Sequence, residues 1–276
     1  MELKHIQNIK GANKRIKLKK PLKPLHPINQ EKSYQKDLRH VVSQIKKAID
    51  KYLMPELPSL VVEANKNKNK PILDDVNSDM NRIFKNIKAS LDNSVDEKHI
   101  AKLHAAEVNK FQSNEWRKQI MHIFDINIFT NEPWLKDHLD AWVQANVGLI
   151  TSLQDNALSQ IQYQVQQGFV QGLRHESISK NIQERLDVAE SRADLIGRDQ
   201  VSKLNGQLNE LRQTDLGIEE YIWNTAHDER VRESHAEKDG ETFSWDDPPE
   251  DTGHPGEDIN CRCIALPKFS EDLFSE

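Results

Sequence analysis

The sequence predicts a mainly α-helical protein with a small α+β unit near its C-terminus. Three observations point there. Apolar residues recur every three or four positions in successive stretches between residues 34 and 211. At Gly217 the pattern changes to short β-rich runs separated by turns that contain Gly, Pro and Asp. Hydrophobic residues make up 36% of the chain, aromatics only 6%, and the mean hydropathy is −0.76. That composition predicts much solvated surface and an elongated helical body that gains stability from partner subunits.

Residues 1–29 read as a basic flexible arm. Lys10, Lys14, Arg15, Lys17, Lys19, Lys20 and Lys23 are joined by Pro21, Pro24 and Pro27. Like-charge repulsion and fixed proline φ angles favour an extended segment. Two readings are open for it: a solvated arm, or one whose Lys14, Arg15, Lys17, Lys19, Lys20 and Lys23 contact DNA phosphates.

The helical body is expected over residues 30–214. Tyr34, Leu38, Val41, Val42, Ile45, Ile49 and Leu53 form a first stripe, ended by Pro55 and Pro58. A polar loop is expected from Asn65 to Lys70. Val76, Met80, Ile83, Phe84, Ile87 and Leu91 form a second stripe, and a third runs from Asp96 to Ile123. Asn131 and Pro133 open a long helix around 133–170, whose apolar positions run from Leu135 to Phe169 and which Gly168 and Gly172 close. Its length approaches ~50 Å. Two more helices are expected, Ser177–Leu186 and Glu190–Leu211.

Strands are expected at Glu220–Thr225, after the Asp239-Gly240 turn, and from Cys261 to Leu266. These belong to a unit of residues 215–267, followed by an acidic tail, 268–276. Charge is unevenly spread. Residues 1–70 hold 17 Lys/Arg against 6 Asp/Glu, whereas residues 215–276 hold 5 against 18. The basic end suits nucleic acid or an acidic surface, and the acidic end suits protein. No apolar run is long enough to cross a bilayer, and no secretory leader is visible, so a soluble protein made in the cytoplasm is expected.

Both cysteines, Cys261 and Cys263, lie in the C-terminal unit, spaced C-x-C. A disulfide between them would be strained. With His235 and His254 they supply enough ligand atoms for tetrahedral zinc. The alternative is a metal-free unit with structural cysteines and hydrogen-bonded histidines. His227, Asp228, Arg230, Arg232 and His235 invite a second pair of readings: a phosphodiesterase-like cluster of base, acid and cations, or an ion-pair network that fixes loops without an apolar core. No nucleophile elbow, phosphate loop or paired-carboxylate motif accompanies the cluster, which favours the network. Asp239-Gly240 and Pro255-Gly256 are turn pairs, Asn260 shapes the approach to the last strand, and Trp223 and Trp245 are expected to cover the small core.

The residues Trp223, Thr225, Asp228, Arg230, Arg232, His235, Asp239 and Gly240, followed by His254, Pro255, Gly256, Asn260, Cys261, Arg262 and Cys263, resemble the C-terminal signature of the phage Mu F-like minor head proteins, the phage head morphogenesis family. The segment Arg192-Ala193-x-x-Ile196-x-Arg198-Asp199-Gln200, followed by Asn205, resembles the helix that precedes this signature. The likeness covers about residues 130–267 and is strongest in the last 75 of them. It implies a non-enzymatic minor capsid component of a tailed phage or prophage. Such a protein would be made in the bacterial cytoplasm and located in the virion head near the portal vertex. It would bind portal protein and major capsid or scaffold protein during procapsid assembly, and contact DNA during packaging or ejection. The competing reading is a nuclease- or toxin-like enzyme built on the C-terminal His/Asp/Arg cluster.

Overall fold

The computed structural model describes residues 19–66, 74–125 and 131–269. Among the described residues, six helices precede the sheet: α1 (Ile28–Tyr52), α2 (Leu57–Lys66), α3 (Asp74–Asp92), α4 (Glu97–Phe124), α5 (Leu135–Gln171) and α6 (His175–Asp215). Then come β1 (Glu220–Asn224), the one-turn helix α7 (Glu233–Ala236), β2 (Thr242–Ser244) and β3 (Ile264–Lys268). The mainly helical class and the small C-terminal sheet are as expected from the sequence. No helix among the described residues is long and apolar enough to cross a membrane.

The chain forms two compact units, and the long helices pass through both. One unit takes residues 33–102 and 143–197. Its core consists of the predicted stripes: Leu38, Val41 and Ile45 of α1, Met80, Ile83 and Ile87 of α3, Ile150, Ile161 and Val165 of α5, and Ile178 and Ala193 of α6 are all buried. Polar side chains fix the helix pairings. The Tyr34 hydroxyl donates to Asn146 Oδ1 at 2.9 Å inside the core, and Gln35 Nε2 donates to the Asp194 carbonyl. Gly197 lets α6 approach α1, because a Cβ there would lie 3.0 Å from the Gln35 backbone nitrogen.

The other unit takes the chain before residue 33, residues 103–142, and everything from 198 onward. Residues 19–27 form no helix or strand, consistent with Pro21, Pro24 and Pro27. The segment is anchored on α4: Leu22 N donates to Gln119 Oε1, and Gln119 Nε2 donates back to the Leu22 carbonyl. Lys19, Lys20 and Lys23 are exposed, while Lys14, Arg15 and Lys17 lie outside the described residues, as does most of the tail from 268. Trp116, Ile120, Ile123 and Phe124 of α4 pack with Leu216 and Ile218 beyond the end of α6.

Several local expectations are corrected. Pro58 does not end a helix but sits in the first turn of α2, where its missing N–H costs nothing, and Leu57, Leu60 and Val61 are buried. Asn65 and Lys66 are therefore helical, and the rest of the expected polar loop lies outside the described residues. The two expected helices 177–186 and 190–211 are one, α6. Leu186, Ala189 and Ala193 carry the buried face across the junction, and Ser191 Oγ donates to the Asp187 carbonyl. Gly168 lies inside α5, where a Cβ would meet Ile178 Cγ1 at 2.5 Å, so it serves close packing. Gly172 alone stops α5: its φ is +66°, and Leu173 N closes the helix end on the Gly168 carbonyl.

Candidate functional site

The three strands form an antiparallel sheet in the order β2-β1-β3, with Tyr221 opposite Phe243 and Trp223 opposite Ala265. Alternation along β1 turns Tyr221 and Trp223 inward, and both are fully buried. They form a core with Trp245, Cys261, Cys263 and Ala265, joined by the partly buried Phe243. The Tyr221 and Trp245 rings lie 4.3 Å apart, and Trp223 meets the His235 ring edge-on at 5.5 Å. The expected covering role of Trp223 and Trp245 is the one they have.

The final ladder begins at Ile264, not Cys261, because β1 ends at Asn224 and gives residues 261–263 no partner strand. The alternating burial nevertheless extends back through Cys263 and Cys261, which keeps both thiols on the inner face. Their approach is set by Gly256 (φ +100°) and Asn260 (φ +58°). Asn260 N–H donates to Asp199 Oδ1 of α6 at 3.1 Å, tying the loop to the helix. The loop also packs closely on α6 at Gly206, where a Cβ would lie 2.6 Å from the Pro255 carbonyl oxygen. Gly206→Ala gains up to about 1 kcal/mol of helix propensity, but the clash with backbone costs about 1–3 kcal/mol. We therefore expect a net loss of stability in urea unfolding, and exposure of Cys261 and Cys263 to thiol reagents at lower urea than in the parent.

The loop between β1 and β2 is held by side chains. Thr225 donates to Asp239 Oδ1 through its N–H (2.8 Å) and its hydroxyl (2.9 Å). Gly240, at φ +84°, donates its N–H to the Trp223 carbonyl. Asp228 accepts from the Arg230 N–H and pairs with Arg262 at 2.7 Å. Burial works against its ionised form, but the hydrogen bond from Arg262 and the Arg230 amide hold its carboxyl below the usual range.

The short helix α7 carries His235 into the core. Its Nδ1 lies 3.3 Å from Cys263 Sγ and 3.6 Å from Cys261 Sγ. Its Nε2 lies 3.2 Å from Asp258 Oδ2, and that carboxylate is also bound by the Arg232 guanidinium. Arg232 donates in addition to the Ile259 carbonyl. Both cysteines are free thiols and buried. The Cys263 thiol's hydrogen bond lowers the pKa of Cys261, against burial, and the Gly256 and Cys263 N–H groups lower it further. The same hydrogen bond and burial raise Cys263. His254 is directed elsewhere: its Nδ1 shares a 3.0 Å hydrogen bond with the Tyr221 hydroxyl, and its ring lies 4.9 Å from Trp245. His227 is half-exposed beside Asp239. Of the expected metal ligands, the fold thus assembles His235, Cys261 and Cys263.

Arg198, Arg230, Arg232 and Arg262 line a recess over these three side chains. Asp258, three residues before Cys261, was not among the expected site residues; its signal in the sequence was its position in the turn that presents the cysteines. Asp199 and Arg198, by contrast, lie in the helical segment singled out before the signature.

The C-terminal site is thus a small aromatic sheet that carries a His/Cys/Cys cluster and loops held by Asp–Arg pairs. Residues 159–266 match the family described as Phage Mu protein F like protein. An uncharacterized protein of Haemophilus influenzae (strain KW20) is 42% identical over 137 residues, which is 50% of this chain and 31% of the relative. The chain therefore spans about a third of that curated relative's length. No solved structure matches.

Proposed function

We propose that the chain is a minor head protein of a tailed phage or prophage. It would act in head morphogenesis near the portal vertex, binding portal protein and major capsid or scaffold protein during procapsid assembly. The observation that carries this reading is the Mu F-like match over residues 159–266, because the signature residues it covers engage one another. Asp228 is taken by Arg262, Asp258 by Arg232 and His235, and Asp239 by Thr225. Such mutual pairing supports a rigid docking surface over an acid–base centre, in which a carboxylate or imidazole must be available to substrate. The exposed Lys19, Lys20 and Lys23 support a DNA contact by the N-terminal arm, made mainly to phosphates and hence strongly salt-dependent.

Affinity isolation of the full chain from cells assembling the corresponding phage tests this. Portal protein is the expected co-purifying partner, and no polynucleotide turnover is expected from the purified chain. RNA or DNA breakdown that disappears in His235→Ala would instead support the nuclease-like alternative, for which the arginine-lined recess would be the binding surface.

A further inference from the structure

We propose that His235, Cys261 and Cys263 hold one zinc ion, with Asp258 as the positioning residue for His235 and the fourth coordination place open to the arginine-lined recess. This stands apart from the head-assembly reading and rests on geometry. Zinc–sulfur bonds of about 2.3 Å and zinc–nitrogen bonds of about 2.0–2.1 Å in a tetrahedron place ligand atoms about 3.5–3.8 Å from one another. His235 Nδ1 lies 3.3 and 3.6 Å from the two sulfurs, and all three ligand atoms fall within 4.8 Å. A centre of that size needs only small side-chain adjustments.

The surroundings favour the metal-binding forms of these groups. Asp258 Oδ2, at 3.2 Å, accepts a hydrogen bond from His235 Nε2–H. This leaves the Nδ1 lone pair facing the sulfurs, which is the carboxylate–histidine–metal arrangement. Arg232 holds that carboxylate in place and braces itself on the Ile259 carbonyl. Cys261 Sγ receives N–H groups from Gly256 at 3.3 Å and Cys263 at 3.4 Å, donors that suit a thiolate. Two thiolates and one neutral imidazole around a dication leave a buried cluster with no net charge, which burial tolerates far better than a lone ion. Sulfur with imidazole is a donor set that suits zinc, whereas calcium and magnesium take oxygen ligands. Among the described residues, no fourth His, Cys, Asp or Glu joins the group. The recess beside the three ligands is lined by Arg198, Arg230, Arg232 and Arg262, and the remaining place is left for solvent.

The test uses the full chain, purified with zinc in the medium and dialysed. Elemental analysis should give about one zinc per chain for the parent and for His254→Ala, and close to none for Cys261→Ser and His235→Ala. Asp258→Asn should keep the stoichiometry but bind zinc 10- to 100-fold more weakly in competition with a chromophoric chelator. Cobalt substituted into the parent should show a thiolate-to-cobalt charge-transfer band, a readout independent of how the variants fold. Folded parent protein that takes up no zinc, zinc that persists in both Cys261→Ser and His235→Ala, or bound cobalt without the thiolate band would each overturn the proposal.

Discussion

Arg212→Ala is expected to destabilise its unit by about 3–5 kcal/mol, the cost of stranding a buried charge. Arg212 is 2% exposed and its partner Glu132 is 11% exposed. The guanidinium donates to both Glu132 oxygens, at 2.6 and 2.9 Å, and to Asn109 Oδ1 at 2.7 Å. It also donates to Gln112 and lies over the Trp134 ring. One side chain near the end of α6 therefore ties α4 to the segment just before α5, and its removal leaves a carboxylate and two amides facing a hole. Glu132→Ala should cost a similar amount, and the double variant clearly less than the sum of the two, because each single change strands the other partner. The check is a double-mutant cycle from urea unfolding. Additive losses would mean that the two groups do not act as a pair.

Trp223→Ala should cost about 3–5 kcal/mol, as large-to-small changes in packed cores do. Trp223 is fully buried in the central strand and touches Phe243 and His235 edge-on. Its loss opens a cavity beside the His/Cys/Cys cluster, so the sheet should loosen before the helical remainder does. Amide exchange in β1 and β3 should rise sharply, while the core of α1 and α3, which lies in the other unit, stays protected. Uniform loss of protection over the whole chain would contradict that separation. Trp223→Phe keeps most of the packed surface and should lose much less.

How much of this was legible in the sequence depended on the strength of the periodic signal. The stripes at Tyr34–Leu53, Val76–Leu91 and Leu135–Phe169 place large aliphatic residues at helical spacing, and all three are helices with those residues mainly buried. The signal failed where small residues carry the buried face. Ala189 and Ala193 continue the inner side of α6, but their low apolarity suggested a break, although no Gly or Pro supports one. Pro58 was misread because proline ends a helix from its interior yet starts one from its first turn. Within the site, the cysteine spacing and His235 could be picked out by residue type. The separation of His254 from His235 could not, because it depends on which side of Tyr221 the 254–256 turn lands. Asp258 could be placed only in the turn that presents the cysteines; its pairing with His235 could not be read, since a carboxylate next to a histidine in space leaves no mark in local spacing.

The most direct measurement is quantitative mass spectrometry of procapsids and mature heads purified from cells that make this chain and release tailed-phage particles. The head-assembly account predicts that the chain is present in the particles at low copy, in fixed ratio to portal protein. Particles that contain portal and major capsid protein but lack this chain at every stage of assembly would contradict it.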